Sequence, residues 1–590
     1  MKTKVIQKNE KLWLECDGKP LLPAAYMSYV QDNADYFSFR QVGYRLFCIC
    51  VNMGDSTINQ NSGVLPFSPH VWKGRGEYDF SPVYHSLSKL SADTNGDFIA
   101  ILRVNLDPPN WWLESYPEER LVYGDGENGK QSVFSARWID DAKLFLDKLY
   151  AYLKSCAYFD KIAGIHLAAM HTEEWIAPST PTGRYDYSEN AKKAFNAYLY
   201  GRYGIFDVEI PSQQQLDERV FVSAKGCETI DLTKEYLRFF NEGFADAVKS
   251  LASHTKKLCD REWLVGAFCG YLAQLGCERG HSAFSLLLDD PNIDFFASPF
   301  AYNEARQTAA DWFYHGAMDT CARRGKLWFL EADVRTHKTQ PLYETNPELM
   351  DGERTAAYFK NPVFFGPKTE TESLSVLLRS FAKVMISGNA FWWFDMWGGW
   401  YASSAMMQYI EKMHALYETE WNSLSQRTDE IAVILDETAS YSVTGKNFWN
   451  ASYQQMCELG FVGAPYALYL KGDLSEKELS TYKLCLYILG DGHKNVLTAG
   501  GERLEKEGAF TALELVSALS NAGGHVYSRG NIVYANSRYL ALTATAEGEI
   551  RLSMPKECRL KAFTDGKEYF GKEFSFPMIK NQTELFEVVE

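Results

Sequence analysis

Apolar runs of strand length alternate with segments of helical periodicity over roughly the first 425 residues of the chain. Turn residues bound the runs, and intervening segments such as 136–156 and 234–257 repeat apolar residues at the spacing of one helix face. The eight runs predict buried strands at residues 20–29, 44–53, 97–107, 162–174, 263–271, 293–300, 326–336 and 389–396.

Eight strands, each followed by a helical segment, are the sequence form of a (β/α)8 TIM barrel, because right-handed crossovers close such a sheet on itself. A doubly wound open sheet is the alternative for the same alternating pattern. We therefore predict an α/β protein with a barrel over residues 1–425.

The pattern changes after residue 425. Segments 429–437, 482–492 and 523–530 predict the strands of a smaller α/β domain over residues 426–530. The last 60 residues alternate polar and apolar positions in short strands, which predicts a small antiparallel β domain over residues 531–590.

Side-chain alternation predicts which residues face the inside of the barrel, because the outward set must be apolar to pack on the helices. In the fourth strand this rule turns Glu174 inward, and in the seventh strand it turns Glu331 and Asp333 inward. A bulge at the end of the fourth strand would exchange Glu174 with Glu173, so both stay candidates.

The same rule applied to two further strands adds polar candidates at the barrel mouth. It places Arg103 and Asn105 inside the third strand, and Trp393 and Asp395 inside the eighth. Active sites of barrel enzymes lie at these carboxyl ends of the strands. A buried polar network that only stabilises the mouth is the alternative role for the third-strand residues.

Paired carboxylates and abundant aromatic rings together suit carbohydrate chemistry. One carboxyl can protonate a glycosidic oxygen while the other attacks the anomeric carbon. The aromatic share is 15%, and sugar C–H faces stack on such rings. We therefore expect Trp175 and Trp400, which follow the fourth and eighth strands, to contact substrate with Trp393.

Composition excludes several other classes of protein. The net charge is −16 with the acidic residues scattered, which argues against nucleic acid or an anionic membrane as partner. No signal peptide and no apolar stretch of membrane length is visible, so we expect a cytoplasmic protein. The 12 cysteines form no C-x-x-C pair, and no phosphate-binding loop or H-E-x-x-H pattern occurs, so we predict no metal and no cofactor.

Several segments resemble the retaining glycosidases of clan A, and within them the β-galactosidases of glycoside hydrolase family 42. They are CDGKPLLPAAYMSY, VNLDPPNWWLESYPEE, the carboxylates at the ends of the fourth and seventh strands, and WWFDMWGGWY. The resemblance implies that Glu174 is the general acid/base and Glu331 the nucleophile. It also implies a flavodoxin-like domain that makes trimer contacts, followed by a small C-terminal β-sandwich.

One residue departs from the clan pattern. Clan A enzymes usually place an Asn that binds the sugar 2-hydroxyl immediately before the acid/base, whereas Glu173 precedes Glu174 here. We expect a retaining exo-glycosidase that removes a terminal β-linked sugar from an oligosaccharide or glycoside, with galactose as the sugar implied by the resemblance. A β-mannoside, β-glucoside or rarer glycoside, an inverting reaction, and a non-catalytic carbohydrate-binding barrel stay open.

Overall fold

A closed barrel of eight parallel strands forms the centre of the molecule. The computed structural model describes residues 1–59, 62–224, 226–302, 310–350, 352–491 and 493–589. Each strand lies within its predicted range, so the predicted barrel is confirmed and the open sheet is excluded. The strands are β1 (Ala24–Met27), β2 (Leu46–Asn52), β3 (Ile99–Asn105), β4 (Ile162–Ala168), β5 (Leu264–Phe268), β6 (Phe295–Pro299), β7 (Leu327–Ala332) and β8 (Ala390–Phe394).

Helices surround the barrel and begin and end at residues suited to helix termini. In the helix Glu370–Ser387, for example, Thr369 and Glu372 form a capping box, and Gly388 ends it with φ +73°. The helices that accompany the barrel are α1 (Tyr36–Gln41), α2 (Ser81–Asp93), α3 (Asn110–Ser115), α4 (Ala136–Ser155), α5 (Glu189–Tyr203), α6 (Gln213–Glu218), α7 (Leu232–Leu258), α8 (Ser285–Leu288), α9 (Met318–Arg323), α10 (Leu342–Thr345), α11 (Glu353–Tyr358), α12 (Glu370–Ser387) and α13 (Ser404–Trp421).

Aromatic side chains fill the interior of the barrel below its mouth. The His166 ring lies 4.4 Å from the Phe268 ring and 5.6 Å from the Trp392 ring, measured between centroids. Trp392 also stacks on Phe329 at 5.2 Å. This packed layer forms a floor, so polar groups beyond it collect at the carboxyl ends of the strands.

The contacts of Trp392 show that the predicted orientation of β8 is wrong by one residue. Trp393 points outward, where its ring packs on Phe391 and Tyr401 and its Nε1 donates to the Tyr44 hydroxyl at 2.8 Å. Both faces of this strand carry aromatic residues, so polarity could not distinguish them. Asp395 shares the outward orientation of Trp393.

A short antiparallel sheet that the sequence reasoning did not predict precedes the barrel. Its strands are Thr3–Lys8, Lys11–Cys16 and Lys19–Leu21. Thr3 N donates to the Glu262 carbonyl, just before β5, and so anchors this sheet at the amino-terminal end of the barrel. In the described loops, three two-stranded ribbons are present: Trp72–Gly74 with Glu77–Tyr78, Arg120–Val122 with Asn128–Gln131, and Ser223–Ala224 with Cys227–Asp231.

Two further sheets follow the barrel. In the first, Ile431–Leu435 pairs in parallel with strands on both sides, and two antiparallel strands extend one edge. The second is a five-stranded antiparallel sheet. Residues 523–530, predicted as a strand, do not form one. The strands are Tyr466–Leu470, Ile431–Leu435, Leu484–Asp491, Lys494–Ala499 and Glu502–Lys506 in the first sheet, and Ile532–Ala535, Tyr539–Thr543, Gly548–Ala562, Glu568–Met578 and Thr583–Val589 in the second.

In the described residues, four α-helices accompany the first of these sheets: α14 (Gly445–Phe448), α15 (Gln454–Leu459), α16 (Glu476–Leu479) and α17 (Ala512–Asn521). The division of the chain into domains at residues 425/426 and 530/531 stays a prediction. No helix in the described ranges is both long enough and apolar enough to span a membrane.

Candidate active site

A cavity of about 920 Å³ opens at the carboxyl ends of the barrel strands. Glu331, on β7, and Glu174, six residues after the end of β4, both line it. These are the two carboxylates that the sequence reasoning placed at the barrel mouth. The fold therefore brings together two acids that lie 157 residues apart in the chain.

Arg103, on β3, connects the carboxyl groups of two glutamates beneath this cavity. The side chain is 1% exposed. Its Nη1 donates to Glu331 Oε1 at 2.9 Å, and its Nε lies 3.0 Å from Glu173 Oε2. Its Nη2 donates to the Tyr29 hydroxyl. One guanidinium therefore balances two buried carboxyls and fixes the position of Glu331.

Glu173 and Glu174 are adjacent in sequence but lie in different surroundings. Glu173 is 2% exposed, does not line the cavity, and accepts a hydrogen bond from Asn105 Nδ2 at 3.2 Å besides its contact with Arg103. Glu174 faces the cavity. The structure therefore brings Arg103 and Asn105 to the site as supports of a buried carboxyl.

An unusual backbone separates these two side chains. Met170, Thr172, Glu173 and Trp175 all have φ between +54° and +71°, a left-handed conformation that non-glycine residues adopt rarely and at a free-energy cost. Trp175 is buried, and its Nε1 donates to the Leu167 carbonyl at 3.0 Å, which holds the turn against the barrel wall. Trp175 therefore anchors the loop and does not line the cavity.

Among the described residues, the side chains that contact the Glu174 carboxyl carry hydroxyl groups, and none is a cation. The Tyr271 hydroxyl donates to Glu174 Oε1 at 2.7 Å, and Thr172 Oγ1 contacts Oε2. Thr172 Oγ1 also lies 2.7 Å from the His171 carbonyl and has one hydrogen to donate. When that hydrogen goes to the carbonyl, Thr172 can accept one from Glu174, so this environment accommodates a protonated carboxyl.

Burial raises the pKa of both cavity carboxyls. It raises the pKa of Glu331 to about 8, with Arg103 opposing the rise and Glu174 adding to it. Burial also raises the pKa of Glu174, whereas its hydrogen bonds from Thr172 and Tyr271 act against the rise. Two such groups titrate as a pair. Because Arg103 contacts Glu331 directly, we assign the shared proton to Glu174.

Asp333 supports the site from one side without lining the cavity. It is fully buried and accepts hydrogen bonds at 2.6 Å from the Tyr302 hydroxyl and from Arg335 Nη1. Tyr302 lines the cavity, so Asp333 orients a cavity residue. The Trp400 ring lies against the Arg335 guanidinium, 5.2 Å from centroid to Cζ, and does not line the cavity.

Asp395 also lies away from the cavity. Its oxygens accept from the Trp400 N–H at 2.9 Å, the Gly399 N–H at 3.1 Å and the Tyr26 hydroxyl at 3.1 Å. Trp393, Asp395 and Trp400 therefore do not join the other candidates. The predicted substrate contacts of Trp175, Trp393 and Trp400 are replaced by packing inside the protein.

Four tyrosines that line the cavity were not among the predicted site residues: Tyr358 and three that follow barrel strands. Tyr29, Tyr271 and Tyr302 each follow a barrel strand by two or three residues, after β1, β5 and β6 respectively. The available signal was an aromatic residue that ends a predicted strand, as Tyr29 and Tyr271 do, or lies just beyond it, as Tyr302 does. Within the described ranges, no group of three or more His, Cys, Asp or Glu side chains is arranged to hold a metal ion.

Three solved structures show the same architecture over nearly the whole chain. The β-galactosidase from Bacillus circulans sp. alkalophilus is 12% identical, with a TM-score of 0.60 and coverage of 96% of this chain and 98% of that one. A catalytic mutant of the family 42 β-galactosidase Gan42B from G. stearothermophilus is 11% identical, with a TM-score of 0.59 and coverage of 96% and 98%. The β-galactosidase from the haloarchaeon Halorubrum lacusprofundi is 12% identical, with a TM-score of 0.55 and coverage of 95% and 98%.

This chain has the fold of those β-galactosidases. The predicted resemblance is confirmed at the level of architecture, barrel and C-terminal sheets together. The sequence matches no protein-family model and no curated protein.

Proposed function

We propose that this protein is a retaining β-glycosidase that removes a terminal β-linked sugar, with a β-galactoside as the first candidate substrate. The observation that carries the proposal is that Glu174 and Glu331 line one cavity at the barrel mouth, in two different electrostatic environments. One carboxyl is tied to a guanidinium and the other to hydroxyls, so the pair can hold one proton and one negative charge.

The two environments support the following roles for Glu331 and Glu174 in double displacement. The Glu331 carboxylate attacks the anomeric carbon while the Glu174 proton moves to the departing glycosidic oxygen, which leaves a glycosyl ester on Glu331. Glu174, now ionised, removes a proton from water, and the resulting hydroxide displaces the sugar from Glu331. This mechanism requires a separation of roughly 5–5.5 Å between the two carboxyl groups.

The position of Glu173 leaves the identity of the sugar open. The residue before the acid/base points to Arg103 beneath the cavity, so it is not placed to bind a sugar hydroxyl there. Other cavity residues must then recognise the sugar, which keeps β-mannosides, β-glucosides and rarer β-glycosides as candidates. The shared architecture also supports our proposal of a homotrimer, and the sequence supports that of a cytoplasmic location.

A panel of nitrophenyl β-glycosides, assayed with wild type and with Glu331→Gln, tests the proposal. We expect hydrolysis of at least one β-glycoside by wild type, with NMR showing first the β-anomer of the released sugar, and with Glu331→Gln inactive. If the α-anomer is released first, the reaction inverts the anomeric configuration and the retaining mechanism is wrong. A folded wild type that hydrolyses no member of the panel, or a fully active Glu331→Gln, would overturn the assignment.

A further inference from the structure

Arg279 is the one permanently cationic side chain on the cavity wall, within the described ranges. It ends the short helical turn Cys277–Arg279 after β5, and its own carbonyl accepts from Ala177 N at 2.9 Å. That contact places it beside the loop that carries Glu174. The guanidinium therefore faces the same space as the catalytic pair.

Arg279 has no carboxylate partner among the residues described. Its Nη1 donates to the Ser179 hydroxyl, and its Nε is buried without an acceptor. The neighbouring Glu278 is already paired with Arg219. Arg279 is half-buried. Because a guanidinium partly removed from water without a counter-charge is destabilising, such a group is uncommon unless something else supplies the charge.

The other arginines around the cavity show the usual arrangement. Arg103 contacts Glu173 and Glu331, and Arg335 contacts Asp333 at 2.6 Å. Each is paired with at least one carboxylate inside the protein and does not line the cavity. Arg279 differs from them in both respects, since it lines the cavity and no carboxylate among the described residues forms a salt bridge with it. Burial lowers the pKa of Arg279 to about 10, which still leaves it charged at neutral pH.

His171 adds a second polar group to this part of the wall. It also lines the cavity, and burial together with the Arg279 charge holds its pKa well below the usual range. A neutral imidazole at neutral pH presents one N–H donor and adds no negative charge. Arg279 and His171 together offer hydrogen-bond donors suited to a planar or tetrahedral oxyanion.

We propose that Arg279 binds an oxyanion on the substrate, so that the enzyme acts on acidic β-glycosides that carry a carboxylate or a sulfate. The inference rests on the proposed function for the reaction but not for the binding. A negatively charged substrate would otherwise be repelled by the ionised member of the Glu174 and Glu331 pair. Arg279 offsets that repulsion and selects for the charge.

Binding measured by calorimetry tests the inference without turnover. We expect at least one acidic compound to bind more tightly than its neutral parent. The compounds are D-galacturonate, D-glucuronate, galactose 6-sulfate and 4-carboxyphenyl β-galactoside, and the last is tested on the inactive Glu331→Gln. Arg279→Gln should reduce that preference about tenfold to a hundredfold, the range for one charge-assisted hydrogen-bond pair. Comparing the two uronates with galactose 6-sulfate shows whether the site prefers a carboxylate or a sulfate. Binding of 4-carboxyphenyl β-galactoside shows whether the recognised charge lies on the leaving group.

Kinetics on paired aryl β-glycosides separates a binding role from a structural one. Arg279→Gln should lower the ratio of kcat/KM for the acidic substrate to that for its neutral parent, and Arg279→Lys should restore part of it. Arg202→Gln is the matched control, because Arg202 is exposed, pairs with Glu242 and does not line the cavity. It should leave the ratio unchanged.

Two outcomes would overturn the inference. One is a wild type that prefers no acidic compound in binding, and the other is an Arg279→Gln variant that weakens acidic and neutral compounds equally. If no glycoside is hydrolysed but an acid still binds through Arg279, the proposed function fails and the oxyanion site stands. If neutral glycosides are hydrolysed without any preference for acids, the proposed function stands and the oxyanion site fails.

Discussion

Glu331 and Asp395 are two buried acids at the ends of neighbouring barrel strands, and both have a pKa raised by burial, to about 8 and about 7 respectively. Their surroundings nevertheless differ. Glu331 contacts one arginine and lines a cavity. Asp395 accepts from the backbone N–H groups of Gly399 and Trp400 and so closes its own loop.

This difference shows that a strand-end position and a raised pKa do not by themselves identify a reacting group. Structural carboxyls are buried too, and burial raises their pKa for the same reason. The distinguishing feature is access to a cavity that can hold a substrate. By that criterion we propose Glu331 and Glu174 as the reacting pair, whereas Asp395 stabilises its loop.

The largest expected effect separates Glu331 from Asp395 directly. Glu331→Gln should lower kcat/KM about 10⁴-fold or more, because an amide cannot form the glycosyl ester. Asp395→Asn should lower kcat/KM less than about tenfold but reduce the free energy of unfolding by about 1–3 kcal/mol, because its amide nitrogen would face a backbone N–H. Enzyme kinetics and urea unfolding measure the two. A folded Asp395→Asn as inactive as Glu331→Gln would contradict the comparison.

A second contrast concerns the adjacent acids Glu174 and Glu173. Glu174→Gln should slow substrates with poor leaving groups about 10²- to 10⁴-fold, and nitrophenyl glycosides less, because nitrophenolate needs little protonation. The control Glu173→Gln should lower stability, since it weakens the contact with Arg103, without this leaving-group dependence. Rates over a series of substituted phenyl glycosides measure the difference. If the dependence follows Glu173 instead, the acid has been assigned to the wrong residue.

The smallest expected effect is a shift of the pH profile. The Tyr271 hydroxyl donates to Glu174 and so favours its ionised form, which means that Tyr271→Phe should raise the pKa of Glu174. We expect activity to fall at alkaline pH as Glu174 loses its proton, so the alkaline limb of kcat/KM should move upward by about 0.5–1 pH unit. Tyr302→Phe, which loses a bond to Asp333, is the control. A downward shift for Tyr271→Phe would show that Glu174 is not the group observed.

Some features of the site were accessible from local sequence pattern and others were not. The outward apolar set of β7 is uniform, so Glu331 could be placed inside the barrel from sequence. In β8 both faces are aromatic, and the same rule failed for Trp393. For Glu173 and Glu174, strand alternation no longer applies, because the chain leaves β4 at Ala168 and then turns through left-handed residues.

The sequence by itself determined the alternation of strands and helices, the closure into a barrel, and the presence of acids at the strand ends. These features depend on hydrophobic periodicity, which each segment carries alone. Tertiary structure decided that Arg103 balances two glutamates and that Asp395 is satisfied mainly by its own loop. It also decided that Arg279 faces the cavity with no carboxylate partner in the described part of the chain. Those properties depend on which distant groups come within hydrogen-bond range, and folding alone sets such distances.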